Sequence, residues 1–469
     1  MKFCLLLLFV INLIASCFAQ DYEHRRRLIP QLINQKALID QYIAVVLKSR
    51  EDNRALSGYE LNEINVSTAN RLRLRKEALD YIDSDRALIK SKKKRAVLTE
   101  SEIKELIKTL SVAVTLFDTT MYAYVTLKQN KKIRQILNES DPSFDRNGNT
   151  YKSSLTSLFS LKNRKHLRKA MGVYLNYMRT SPDFVKDEEV RLSHEVIQQS
   201  YYYSRYQDPN LAGDVVSLIK LFTSQLSISL NAQKDLITFM GQSLMYSGSK
   251  LFGNFAGGFQ KRNGLLKDDT DFLEAAMKEM QPLDVLLEKT PFRLTDKFIP
   301  GYWGHTAIFI GSEDFLKELG IWNHPLVEKH KKELQKNQFI VEALRSKVEI
   351  NSLERFSNID DFAILRLRVP MTREEQKEHI LRALSHVGKR YDFNFDVETG
   401  KTIVCSELHY RTYINVDFKT TVMLKRNTIS VDQVAEQAMT GMPFEPVMVY
   451  LNGVKVTDKI QEVYDHFLK

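Results

Sequence analysis

The sequence predicts an α+β chain in two parts: a helical N-terminal domain over residues 20–275, then a mixed strand-and-helix domain over residues 276–469. Two changes of texture along the chain carry this reading. Apolar residues recur at three- and four-residue intervals through the first part, the spacing of one helix face. From about residue 280 short runs of β-branched and aromatic residues alternate with turns, the pattern of strands. Between them, from Gly241 to Gly264, the chain turns rich in Gly and Ser, the composition of a hinge.

In the first part Leu32, Ile39, Ile43 and Val46 hold one face of a helix. Ile103, Leu106, Leu110, Val114 and Phe117 hold a second, opened by the capping box Thr99-Glu100-Ser101-Glu102. Tyr201, Tyr202, Tyr203 and Tyr206 read as core or helix contacts. In the second part strands are expected over 284–287, 304–311, 339–343, 348–350 and 362–368, with a charged helical insertion over 312–335. Capping boxes at Thr372 and Ser430 open two further helices. Asn452-Gly453 between apolar runs marks a hairpin.

The first nineteen residues read as a targeting signal: Lys2, an apolar core from Leu5 to Ile14, then small residues. Cleavage after Ala19 would release a soluble chain. The run Ile14-Ala15-Ser16-Cys17 alternatively resembles a bacterial lipobox, which would leave Cys17 as a lipidated N-terminus. Beyond this segment no run approaches the ~20 apolar residues of a membrane span. The expectation is an exported protein of the periplasm or outer envelope, soluble or lipid-anchored.

Of three cysteines, Cys4 and Cys17 belong to the signal, so Cys405 is the one thiol left in the body of the chain. A lone thiol in an oxidising compartment is either a small buried hydrophobe or a reactive group. The net charge is +10, and removing the signal takes away one lysine and no acid, leaving +9. For an exported chain that charge points to phospholipid headgroups, surface polysaccharides or cell-wall carboxylates rather than nucleic acid. The densest basic run, Lys90 to Arg95, reads as a solvated helix end.

Two motifs imitate metal sites and fail. Residues 143–148 resemble the middle of a calcium loop but place Ser143 and Ser154 at its key ligand positions, so they read as a turn. His194-Glu195 lacks the second histidine of a zinc protease motif, with Gln198 in its place. No metal and no cofactor is expected.

Three segments of the second part form one pattern: Trp303-Gly304-His305-Thr306-Ala307-Ile308; Phe339-Ile340-Val341-Glu342-Ala343-Leu344; and Tyr391-Asp392-Phe393-Asn394-Phe395-Asp396 followed by Cys405-Ser406-Glu407-Leu408. Together they resemble the YiiX/YebB-like branch of the NlpC superfamily, the circularly permuted papain-like cysteine hydrolases. The resemblance implies a permuted papain-like fold for residues 276–469, with the strand bearing His ahead of the helix bearing Cys. It implies Cys405 as nucleophile, His305 as base, Glu342 as the group orienting the imidazole, and Tyr391 as an aid to oxyanion binding. Glu349 and Asp361 are the alternatives for the third role, and His409 lies one helical turn beyond Cys405.

Physical chemistry supports the assignment separately. A helix N-terminus and a neighbouring imidazolium favour the thiolate, the reactive form of cysteine. A base on one strand, held by a carboxylate on the next, follows triad logic. The resemblance implies cleavage of amide bonds in cell-wall peptides. A lipid-directed, thioester-forming hydrolase or acyltransferase is the alternative. An inert envelope-binding protein is the reading from another class, and an intact Cys–His–Glu set argues against it. The helical domain is expected either to give simple structural support, or to dock the hydrolase on an anionic envelope surface or cover its cleft.

Overall fold

The computed structural model describes residues 2–91, 98–127, 130–181, 183, 186–207, 262–292, 301–393, 395–423 and 426–468, with backbone alone for 2–22 and 84–91. Much of the Gly/Ser-rich stretch, Cys17's side chain and the basic run at 90–95 lie outside the described residues or side chains. The chain divides into two compact units. One consists of residues 1–44, 66–138 and 149–235, the other of 45–65, 139–148 and 236–469.

The first unit is helical throughout its described length. Its helices are parts of α1 (Lys2–Glu51) and α2 (Gly58–Ser91), then α3 (Glu100–Leu127), α4 (Lys131–Asn138), α5 (Thr150–Phe159), α6 (Leu161–Thr180), α7 (Glu188–Gln198) and α8 (Tyr201–Gln207). The capping box forms as expected, with the Thr99 amide donating to Glu102 at 2.8 Å. Helix α3 serves two buried clusters at once. Ile107, Leu110 and Val114 pack with Met171, Tyr174, Tyr177, Val190 and Ile197. Val112 and Leu116 pack with Leu28, Leu32, Leu74 and Ala78.

By length and composition α3 also passes for a membrane-crossing helix, and its double burial accounts for that composition. A helix enclosed on several sides carries apolar residues all round, which is what a span also requires. Tyr202, Tyr203 and Tyr206 pack against the first cluster, as core contacts. The buried Asp118 carboxylate caps α8 by accepting from the Tyr201 and Tyr202 amides at 2.6 and 3.1 Å.

The second unit is built on a seven-stranded antiparallel sheet in the order β11-β10-β5-β1-β2-β3-β4. Its strands are β1 (Val285–Lys289), β2 (His305–Phe309), β3 (Ile340–Ala343), β4 (Val348–Asn351), β5 (Asp361–Leu367), β10 (Phe444–Leu451) and β11 (Val454–Lys455). Two short pairs stand outside it: β6 (Arg390–Tyr391) with β7 (Thr402–Ile403), and β8 (Thr421–Met423) with β9 (Arg426–Thr428).

The expected insertion appears as three short helices between β2 and β3, within residues 313–334. Thr372 and Ser430 cap helices at Arg373–Ser385 and Val431–Ala435. Asn452 and Gly453 both take positive φ, 49° and 75°, between the paired Leu451 and Val454. Positive φ at both turn residues is what a tight hairpin demands and what Asn-Gly supplies.

Helix α9 (Cys405–Thr412) packs against β2 and β3. Two segments distant in sequence fasten it and its approach. The Tyr410 hydroxyl donates to the Leu56 carbonyl at 2.6 Å, and the Leu56 amide donates to Glu398 at 2.9 Å. From the other segment, Glu139 accepts from the Gly400 amide at 2.9 Å, and Asp141 pairs with Lys389 at 2.7 Å. Residues 143–148 are indeed a turn, with Asp141 and Arg146 bridged across it.

Gly58 lies where a Cβ would come within 2.1 Å of the Tyr410 carbonyl oxygen, a clash with backbone that no rotamer relieves. Gly58→Ala should therefore destabilise the second unit by about 1–3 kcal/mol, the usual cost of overpacking. Thermal unfolding checks it: a midpoint lowered by several degrees is expected, and an unchanged midpoint would refute the close approach.

Candidate active site

Cys405 begins α9, directly after Val404, whose extended backbone (φ −98°, ψ 170°) turns the chain into the helix. An N1 amide has no intrahelical acceptor, so the Cys405 N–H is not spent on the helix. Glu407 accepts from the Val404 amide at 3.2 Å, closing half of a capping box. The Ser406 hydroxyl donates to the Ile429 carbonyl at 2.7 Å, and every residue of α9 is buried. Cys405 itself is a free thiol, 5% exposed.

His305 is the first residue of β2, and its side chain hydrogen-bonds that of Cys405. Its Nε2 donates to Glu342 Oε2 at 2.8 Å, which leaves Nδ1 for the sulfur. Register explains why glutamate suits this place. Ala307, not His305, lies opposite Glu342. His305 is two residues along the same strand, so it shares a face with Glu342 and lies diagonal to it. Diagonal neighbours are about 7–8 Å apart at Cα and need a long side chain to meet. The second oxygen of Glu342 accepts from Asn351 Nδ2, on β4, at 2.6 Å. A carboxylate with both oxygens bonded has a fixed orientation, and it fixes the imidazole in turn.

Burial works against a charged His305, but Cys405, through its charge and its hydrogen bond, with Glu342 and Glu288, holds the ring's pKa well above the ordinary value. The arrangement is therefore a charged imidazole hydrogen-bonded to a thiol, the geometry in which a base can activate a cysteine.

Tyr391 lies on β6, in register with Ile403 two residues before Cys405. Burial, then the negative charges of Cys405 and Glu407, raise its phenol well above 10, so it stays protonated. A neutral donor beside the thiol has the chemistry an oxyanion requires. Its ring contacts Phe393 and Phe395 at 5.1 and 6.4 Å.

The other candidates lie elsewhere. Glu349 accepts from Ser346 and Arg355. Asp361 accepts from the Tyr302 hydroxyl and the Asn452 amide, both at 2.5 Å. His409 is fully buried, its Nε2 2.8 Å from Thr306 Oγ1, and Thr306 in turn donates to the Leu286 carbonyl at 3.0 Å. Burial and the charge of His305 push its pKa down to about 3, so it is neutral. His194 pairs with the Tyr174 hydroxyl at 2.8 Å. Among the described residues, no group of three His, Cys, Asp or Glu side chains is placed to hold a metal ion.

Sequence reasoning missed Asn351, which anchors Glu342, and Glu288, which lies opposite His305 on β1. Both depend on strand register. The local signal for Glu288 was a single acid inside an otherwise apolar run, Val285-Leu286-Leu287-Glu288.

Residues 279–462, less than half of the chain, match the family model described as permuted papain-like amidase enzyme, YaeF/YiiX, C92 family. No curated protein and no solved structure matches the chain. The matched family is one of papain-like cysteine amidases, and the match covers the sheet-containing domain that follows the helical region.

The charge on His305 has a definite sign of pH dependence. A raised histidine pKa contributes stability that is complete below about 6.5 and lost as pH rises through the raised value. Because the thiolate is the largest of the raising influences, Cys405→Ala should let the ring deprotonate at markedly lower pH. Nitrogen-15 NMR of labelled histidine tests this directly. His305 should be doubly protonated at pH 7 in the wild type and lose that proton in the variant, whereas an unmoved titration would separate the two side chains.

Proposed function

We propose that this chain is an exported cysteine amidase that cleaves cell-wall peptides through Cys405, His305 and Glu342. The observation that carries the reading is the imidazole held between the Cys405 thiol and the Glu342 carboxylate, 2.8 Å from the latter.

In the reaction that follows, the thiolate attacks the scissile carbonyl carbon and the C=O π electrons move onto oxygen. The Cys405 amide and the Tyr391 hydroxyl are the donors available to that oxyanion. Collapse breaks the C–N bond as the imidazolium gives its proton to the leaving amine, forming a thioester. Neutral His305 then takes a proton from water, whose oxygen attacks the thioester carbonyl. Collapse of this second adduct breaks the C–S bond, so the acid product leaves and the Cys405 sulfur returns as thiolate beside the recharged imidazolium.

Export rests on the signal-like first nineteen residues, with lipidation at Cys17 as the anchored variant. The +9 charge that remains suits an anionic envelope surface, with the helical unit as the docking part. A specific observation favours lipid as the second substrate class. Phe395 is 44% exposed with its ring against Tyr391. The exposed Val422 and Met423 sit on a hairpin joined to the same loop by the Val397 amide on the Asn427 carbonyl. Exposed apolar groups around Tyr391 fit an acyl chain as well as a peptide.

Incubating the mature protein with muropeptides and with phospholipid vesicles, and identifying products by mass spectrometry, separates the readings. Released amine and carboxylate from muropeptides, lost in Cys405→Ala, is the expected result. Loss of a triad nucleophile leaves only the ~10³–10⁴-fold acceleration over water that binding and oxyanion donors supply. Acyl products from lipid alone would select the second class, and a Cys405→Ala variant with normal turnover would overturn the mechanism.

A further inference from the structure

His305 has carboxylates on both sides within the sheet. Glu342 approaches diagonally from β3, and Glu288 lies directly opposite on β1. Directly opposed residues of an antiparallel pair share a face, with Cβ atoms about 4.5–5.5 Å apart. The pairing is fixed at this end of the strands by the Gly304 amide, which donates to the Glu288 carbonyl at 2.9 Å. Glu288 is 6% exposed and follows three residues, Val285 to Leu287, that are at most 1% exposed. Placing a carboxylate in such surroundings is costly unless opposite charge is near.

We propose that Glu288 is a positioning residue of the site: its carboxylate, paired across the strands from His305, holds the imidazolium charge in place beside the Cys405 thiolate. This rests on the reading of Cys405 and His305 as a catalytic pair. Among the described residues, the groups facing His305 are Cys405 and His409 from α9, Glu342 from β3 and Glu288 from β1. His409 is neutral at working pH, and Phe356, 6.2 Å from the ring, is apolar. Both oxygens of Glu342 are already engaged, by His305 and by Asn351. Glu288 adds a second negative charge that makes no demand on the ring's hydrogen-bonding nitrogens. Its effect is to extend the charged pair to higher pH, so that an acid remains for the leaving amine in mildly alkaline surroundings.

The test is the pH dependence of Cys405 alkylation by iodoacetamide, measured with histidine NMR on the full mature chain. In the wild type, the limb that reports loss of the imidazolium should be absent in His305→Ala. Glu288→Gln should move that limb to lower pH by roughly one unit, the scale of one nearby charge. Glu288→Asp, which keeps the charge, should restore most of it. A purely structural glutamate would change the thermal midpoint and leave the limb where it was, which would overturn the inference. A wild type with no His305-dependent limb would instead overturn the catalytic pair itself. If Glu288→Gln does not fold, the carbon-13 carboxyl resonance of Glu288 in the wild type decides. It must inflect at the pH where His305 loses its proton, and a curve without that inflection refutes the coupling.

Discussion

The register of β2 between β1 and β3 is the constraint on which the site depends. A slip of one residue would turn His305 to the opposite face and present Thr306 in its place, away from both glutamates. Backbone bonds hold the register at both ends. The Leu283 amide donates to Phe309 at 2.6 Å and the Phe309 amide to Asp284 at 3.0 Å, while Gly304 donates to Glu288 at 2.9 Å. Asp284 is itself clamped by Arg366, through Nε at 3.0 Å and Nη2 at 2.8 Å. Burial still raises its carboxyl to about 6 despite that partner. Between these ends Leu286, Leu287, Ala307 and Ile308 are fully buried, so both faces of the strands are covered and a slip would force both to repack.

The second requirement is that α9 stay where it presents Cys405. A short helix of eight residues has little stability of its own, so its place comes from tertiary bonds. Tyr410 bonds to Leu56, and Arg411 bonds to the Val397 and Thr399 carbonyls at 2.7 and 2.6 Å. The loop between Tyr391 and Ile403 is fastened in turn by Glu139 on Gly400. Nearby, Lys389 and Asp141 form an ion pair with side chains at most 1% exposed. Burial lowers the lysine to about 8, and the aspartate only partly offsets this. Such pairs contribute little net stability, yet removing one partner typically costs about 3–5 kcal/mol. Their consequence here is geometric: the segment 139–148 can dock in one way only.

What was legible in the sequence was local or motif-bound. Thr99, Thr372 and Ser430 cap helices with bonds that span three residues, and Asn452-Gly453 turns within two, so each could be read in place. The Cys405, His305 and Glu342 segments were found through resemblance, and the sheet brings the three side chains together. What escaped depends on distance along the chain. Glu288 and Asn351 matter because of which residues oppose them across strands, a fact no single run contains. Residues 45–65 and 139–148 read as helix and turn, and nothing local marks them as parts of the sheet-containing unit. Of helix α3 one face was legible and the other was not, since the apolar residues of the second are interspersed with buried Ser111, Thr115 and Asp118.

The electrostatics of the site follow one rule. Burial alone would strip the charge from His305 and keep the proton on Tyr391. The negative groups around them act on both in the same direction: Cys405, Glu342 and Glu288 hold a proton on the imidazole, and Cys405 and Glu407 reinforce the one on the phenol. Glu407 is itself raised well above the ordinary carboxyl value, chiefly by burial and then by Asp392. The pull of Cys405, Glu342 and Glu288 thus keeps a proton on the imidazole, and burial first of all keeps one on the phenol. The first is a donor of the kind a leaving amine needs, and the second is of the kind a developing oxyanion needs. Acyl transfer from an amide needs both at once, because the amine is a poor leaving group without a proton. Ester cleavage makes a weaker demand on the first. The charge distribution therefore matches amide chemistry more closely than ester chemistry.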